Sequence, residues 1–568
     1  MSSATRERNN DPTVPVAAAP LSFEQDRFYV LQALDPANRA FNIGGSFRLN
    51  GKLNPSALEA AAAQVVARHH SLRTGISAGR AGILVQTVYP SSGSPIPFLD
   101  LSTAGGTGVP IDVLYEAVEE VQQRPLDLES GQPIRLQLIR LSEDDHVIVV
   151  VMHHLLSDGA SLAVFLSEVA EAYAAIVQGR TPELGPEPQQ YADYATTQRS
   201  LGSERRTRDL AYWIAELDGS RPIALPRDRF NYIAEDFVTP IACEPAAGSM
   251  AELFRVAGEE GATPFAALLS LVQLLLHYYC GATDIPLGYP VSVRDRQTTH
   301  AIGLYVNTLV LRTQVNRELS FRRLVRSNAT KMVQGLRHRL APFDQIVRAL
   351  NPERHPSGAT LYNITASFWN EAAAFCNNPF PLPGIRSSRL DPRSRAPQAD
   401  VEFLGFLVNR RLRVELVYDP RQFSRQSMEV VGSALERLVD DLAKAPDAEI
   451  GIIFNPFPDW ETGRWLSEPD ARVRHPASEV APDEEPLQQP DTDTEKRVAA
   501  AWCEFLGVEA VDRRDRFFEL GGYSLLATQV AARLQEVFGV EVPLQLFLDA
   551  QSLSEFAAGI DALLRLGQ

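Results

Sequence analysis

The chain has 568 residues, 45% of them hydrophobic and 22% charged, and a formal net charge of -17. That length calls for two to four domains. The negative charge argues against nucleic acid or an anionic membrane as main partner. The four cysteines, Cys243, Cys280, Cys376 and Cys503, are far apart, so no zinc site and no disulfide framework is expected.

In chain order, residues 1–20 are polar, then rich in Ala and Pro. They read as a disordered tail with no apolar core of signal-peptide type. Ser22 with Gln25 forms the pattern of a capping box. Asn54-Pro55 reads as an N-cap followed by Pro at the first helical position, with Leu58, Ala62, Val65 and His69 on one helical face. Strand-like runs follow at 82–89 and 134–141.

The run Val147-Ile148-Val149-Val150-Val151-Met152 is apolar and largely β-branched, and it ends in His153-His154. It predicts a buried strand, a turn at Ser157-Asp158-Gly159, and an amphipathic helix from 162 to 177 that Gly179 closes. Neighbouring strand residues point to opposite faces, so the two histidines cannot share one job. Imidazole titrates near neutrality, and a pocket-facing one suits proton abstraction. Asp158 is either an N-cap or an ion-pair anchor, and Gly159 permits close backbone approach. A plain pair of satisfied histidines with a capping Asp is the bland alternative.

Residues 179–188 read as a crossing between lobes. The longest apolar stretch, 264–280, is broken by Ser270, Gln273 and His277 and reads as a buried helix rather than a membrane span. Strand-like runs recur at 285–293 and 361–370. Residues 386–395 read as a Pro/Ser loop carrying Arg386, Arg389, Arg393 and Arg395, solvated or receptive to an acidic carrier protein. From 456 to 492 a Pro-rich, acidic stretch reads as a linker spanning roughly 35 Å as a free coil. Trp460 and Trp465 suggest that its first part packs on the preceding lobe. After it, Val498, Ala501, Trp502, Phe505 and Leu506 mark one helical face, and Leu526, Val530, Leu534 and Val537 another. Ser524 stands where an N-cap would.

His153-His154-x-x-x-Asp158-Gly159 is the signature of the condensation domains of nonribosomal peptide synthetases, which residues 20–455 resemble. Ser22 to Phe28, Arg68 to Thr74, Tyr191 to Ala195, Ile302 to Thr308 and His338 to Asp344 resemble that family's other motifs in shared order. Asn370 stands in the place of a late one. Phe517-Phe518-Glu519-Leu520-Gly521-Gly522-Tyr523-Ser524-Leu525 resembles the phosphopantetheine attachment motif of peptidyl carrier proteins. Between Thr494 and Gln568 there are seven basic and eleven acidic residues, a mildly acidic balance that suits a carrier.

The resemblance implies two chloramphenicol-acetyltransferase-like α/β lobes in a V, 21–180 and 181–455, followed by a small four-helix carrier domain at 493–568. It implies that His154 orients or deprotonates an acceptor amine, that His153 is structural, and that Asp158 holds the turn and pairs with Arg294. It implies 4'-phosphopantetheine on Ser524, attached by a phosphopantetheinyl transferase, and an upstream donor carrier protein or synthetase as partner. Elongation modules ordinarily place an adenylation domain between these two parts. Here the linker leaves no room, so Ser524 is expected to be loaded in trans. No nucleic acid, membrane or metal is expected, and the protein reads as cytoplasmic. The alternatives are a chain-releasing amide or ester synthase using a free amine or alcohol, an epimerisation domain, and a non-catalytic docking platform.

Overall fold

The computed structural model describes residues 15–34, 39–78, 83–91, 96–102, 108–200, 203–228, 237–352, 359–370, 378–408, 411–453 and most positions from 488 to 566; within that last stretch 507, 509, 518–519, 521–523, 541, 544–545 and 548–549 are left out. The apolar run 147–152 is the inner part of strand Asp145–His153, central in a five-stranded sheet between Asn42–Asn50 and Ile134–Ser142. It is apolar on both faces because both faces are covered. Ile148, Val150 and Met152 pack with helices Pro55–Arg68 and Gly159–Val177, whereas Val147, Val149 and Val151 pack under helix Ile111–Gln123. Helix Gly159–Val177 is long and apolar enough to cross a membrane by composition, but its face at Phe165, Leu166, Val169 and Tyr173 is buried in this core.

The second lobe is built on a six-stranded sheet in the order Val306–Gln314, Asp284–Ser292, Ile364–Asn370, Val401–Val408, Arg411–Tyr418, Ile241–Cys243. Helix Pro264–Cys280 is buried almost all round in its core, as its largely apolar sequence requires. Thr263 caps its start and Gly281, in the left-handed region at φ 68°, ends it. Gln273 and Ser270, the breaks in that apolar run, are satisfied inside by Asn328.

Two expectations are corrected. Residues 17–20 are not a free tail: Ala17–Pro20 is a strand, antiparallel to Leu84–Val88. The arginine-rich stretch is not simply a loop either. Arg386–Leu390 is a strand of the first lobe's sheet, paired with Asn42–Asn50, and Phe380, Leu382 and Ile385 fill the first lobe's core. Both strands are short and lack apolar alternation, so their partners, remote in sequence, decide them. Arg393 then binds Asp112 at 2.7 Å and lies over Tyr115.

The C-terminal domain has helices Asp493–Leu506, Ser524–Phe538 and Leu553–Leu566 among its described residues. They enclose Trp502, Phe517, Phe547 and Phe556 in edge-to-face contact. The linker with Trp460 and Trp465 lies outside the described residues, but Gln488 already bonds to Asp512 of this domain.

Phe380 is 1% exposed and reaches the first core from a segment between the second-lobe strands Ile364–Asn370 and Val401–Val408. Phe380→Ala is therefore expected to lower the unfolding free energy by about 3–5 kcal/mol, measured by urea denaturation.

Candidate active site between the lobes

His153 is the last residue of its strand and is buried. The Leu155 N–H donates to its Nδ1 at 3.1 Å, so the proton sits on Nε2, which lies 3.1 Å from the Gln32 Oε1 that accepts it. Protonating Nδ1 would break the first bond. Burial, with a smaller contribution from His154, pushes its pKa down to about 3. His153 is thus a neutral brace.

His154 leaves the strand into a single 3-10 turn, His154–Leu156. Its Nδ1 lies 3.0 Å from the Ser157 carbonyl oxygen, which can only accept, so the proton sits on Nδ1 and Nε2 is the basic nitrogen. The two histidines therefore hold opposite tautomers. Phe28 stacks on the His154 ring with centroids 4.9 Å apart. Burial lowers the His154 pKa, so the ring is neutral at pH 7.

Asp158 performs both roles read from the sequence. Its Oδ1 accepts from the Ser161 N–H and hydroxyl, each at 2.8 Å, capping helix Gly159–Val177. The same oxygen is 2.7 Å from Arg294 Nη2 of the second lobe, and Oδ2 accepts from the Tyr305 N–H at 3.1 Å. Arg294 also lies over the Tyr305 ring and donates to the Thr298 and Ala301 carbonyls. A Cβ on Gly159 would meet nothing within 4 Å, so the protein itself leaves open room there.

The remaining motifs are braces that meet around this pair. Ser71 donates to the Ile302 carbonyl. Tyr191 bonds Ser22 and the Leu304 carbonyl. Asn307 donates to the carbonyls of Arg339 and Ala341. Sequence reasoning missed Phe28, Gln32 and Ser161 as individual parts of the site. Phe28 lies inside a recognised motif, and helical spacing from Phe28 to Gln32 was the available signal.

A cleft lies between helix Phe23–Leu34 and helix Phe343–Leu350, lined by the Phe28 that stacks on His154. Glu24, Arg27 and Phe28 line one side; Val306, Thr308 and Phe343 line the other. Arg27 lies over the Phe343 ring at 4.5 Å and donates to Tyr362 at 3.2 Å. Helix Ser524–Phe538 of the C-terminal domain packs against helix Phe23–Leu34. Ser524 is the first residue of that helix, where the positive end of the helix dipole suits a phosphodiester. The residues present thus fit phosphopantetheine, which supplies a flexible arm ending in a thiol. Gly521, Gly522 and Tyr523 of the attachment motif lie outside the described residues.

Two outcomes follow. Arg294→Ala leaves the Asp158 carboxylate buried without its cation and is expected to cost about 3–5 kcal/mol in urea denaturation. The low pKa of His153 means that, as pH falls from about 6.5 toward 3, the unfolded chain takes up a proton the folded one refuses. Stability therefore drops with acidification across that window, and His153→Gln is expected to flatten this part of the pH dependence.

The condensation-domain family profile matches residues 17–454, and the phosphopantetheine attachment site profile matches 496–560. One of the linear gramicidin synthase chains of Brevibacillus parabrevis is 35% identical over 362 residues, 62% of this chain and 5% of the relative. The isonitrile lipopeptide synthase of Mycobacterium tuberculosis is 29% identical over 457 residues, 77% of this chain and 18% of the relative. The chain thus spans a small part of the length of these relatives. The X-domain from teicoplanin biosynthesis shares the fold with a TM-score of 0.68 at 24% identity, covering 79% of this chain and 100% of that one. A four-domain nonribosomal peptide synthetase bound to AMP and glycine gives 0.69 at 19%, covering 88% and 37%. With the His153-His154 turn, the Asp158–Arg294 clamp and the serine-led helix in place, this chain belongs to the condensation-domain family, the amide-forming acyltransferases of nonribosomal peptide synthetases, and carries a carrier domain of the phosphopantetheine-attachment family.

Proposed function

We propose that the fused carrier presents the acceptor amine, and that a separate donor carrier or synthetase supplies the acyl thioester. The observation that carries this reading is the packing of helix Ser524–Phe538 on helix Phe23–Leu34, whose Phe28 both lines the cleft and stacks on His154. Ser524 begins that helix, so an arm anchored there starts on an element in contact with the cleft's wall. Tethering replaces free concentration with an effective one, about millimolar for short flexible links.

His154 Nε2 accepts a hydrogen bond from the incoming amine and takes its proton as the new C–N bond forms and the donor's C–S bond breaks. The Ser157 carbonyl, by accepting a hydrogen bond from Nδ1–H, holds the ring in the tautomer that leaves Nε2 basic. Asp158 and Arg294 fix the turn that carries Ser157. Holding amine and carbonyl in line accounts for much of the acceleration. Only 41 residues separate the two matched segments, so Ser524 is loaded by an adenylation domain in trans after a phosphopantetheinyl transferase has modified it.

A solved complex of an X-domain with OxyB shares the fold at 24% identity, and it keeps a recruiting platform as the second reading. The two are separated by intact-protein mass. Ser524 is loaded with an aminoacyl-phosphopantetheine, and a donor acyl carrier is added. The wild type is expected to gain the donor mass, with His154→Ala slower by at least about a hundredfold. Loading without any gain across a panel of amino acids sinks the acceptor role of the carrier. Free amines and alcohols then test a chain-releasing synthase, and retained carrier binding with no product supports the platform.

Because burial holds the His154 pKa below that of free imidazole, once the acceptor amine's own protonation, at about pH 7.7–8.0, is divided out, the remaining loss of rate from protonating His154 is expected only below pH 6.5, read in the same single-turnover assay.

A further inference from the structure

The face of the second sheet turned toward the first lobe carries an aromatic pair that the steps above do not use. Strand register places it. Thr308 bonds Arg27 of the first lobe at 3.5 Å, and a Cβ on Gly288 would strike Tyr362, which Arg27 also bonds. Arg294, just beyond Ser292, reaches Asp158. The face presented by Gly288, Pro290 and Ser292 is therefore the cleft face. Thr365 pairs with Gly288, so Trp369 stands level with Ser292, and Trp369 pairs in turn with Phe406. The two rings are stacked, with centroids 5.1 Å and planes 11° apart.

On one side of this rung Val306 pairs with Ser292, and Val306 lines the same cleft as Phe28. On the other side Arg413 pairs with Phe406 and is held by Glu415 at 2.9 Å. At a strand spacing of about 4.8 Å, Trp369 lies about 10 Å across the sheet from Val306. Trp369 is 44% exposed although it faces the other lobe, so there is open room in front of it. An exposed indole stacked on a second ring, on the same sheet face as a cleft residue and about 10 Å from it, is a large apolar surface left for a ligand.

We propose that Trp369 and Phe406 form the wall on which the apolar part of the donor's acyl chain lies, and so set which donors are accepted. This rests on the condensation reading of the site. The acceptor's approach, past Glu24, Arg27 and Phe28, lies at the edge strand Val306–Gln314. The aromatic pair stands two and three strands further into the sheet, which leaves the donor as its occupant. Flat stacked rings favour a long aliphatic or aromatic acyl group over a short one, and Arg413 ends the wall.

The test is a calorimetric comparison of octanoyl-CoA and acetyl-CoA binding to the full chain. The wild type is expected to prefer the octanoyl thioester by at least about tenfold, since every methylene laid on the wall adds apolar burial. Trp369→Ala is expected to bring the two affinities within about twofold while leaving the melting temperature unchanged, and Trp369→Phe to keep most of the preference. A wild type indifferent to chain length, or a Trp369→Ala that weakens both thioesters equally, overturns the proposal. Amide formation is scored separately by mass. Absence of product with either donor strikes the condensation reading, whereas the binding ratio still decides the wall.

Discussion

One buried carboxylate ties the two lobes together. Asp158 is 1% exposed, and a bare carboxylate at that depth would cost several kcal/mol. Its acceptor sites are met by Ser161 from its own helix and by Arg294 and the Tyr305 N–H from the second lobe. Full solvation of the charge by the protein is available only when the lobes are docked. The residue that caps the helix after the histidines is thus also the one that binds the second lobe.

Two adjacent residues of identical chemistry are made to differ by what surrounds them. His153 receives a backbone N–H on Nδ1, and the His154 Nδ1–H donates to a carbonyl. The change from strand to 3-10 turn between them produces this inversion. It turns one ring into a buried brace and leaves the other with its basic nitrogen at Nε2. Neither ring carries charge near neutrality, because burial dominates both. A neutral His154 can accept an amine's proton without first losing one of its own.

The other motifs are backbone-holding devices. Ser71, Tyr191 and Asn307 each use a side chain to occupy a main-chain carbonyl of another motif. Buried carbonyls and hydroxyls must find partners, and here they find one another between motifs, with the Ser71–Ile302 bond crossing from one lobe to the other. That explains why residues so far apart in the chain share one order and surround one site.

Much was legible in the sequence because it was local. The β-branched run ending in His153-His154, the capping residues Asn54 and Asp158, and the Ser524 helix start each follow from residues within one turn or one strand. Even the Asp158–Arg294 pair was expected, through resemblance. What the sequence could not disclose depends on partners distant in the chain. Ala17–Pro20 and Arg386–Leu390 are strands only because Leu84–Val88 and Asn42–Asn50 offer them open edges. The opposite tautomers of the two histidines, the Phe28 stack on His154 and the level alignment of Trp369 with the cleft are likewise set by register and packing. Local sequence determined which elements form and which side chains can do chemistry. Tertiary structure alone decided which of them face the same space, because hydrogen-bond registers and buried polar partners are matched only when remote segments meet.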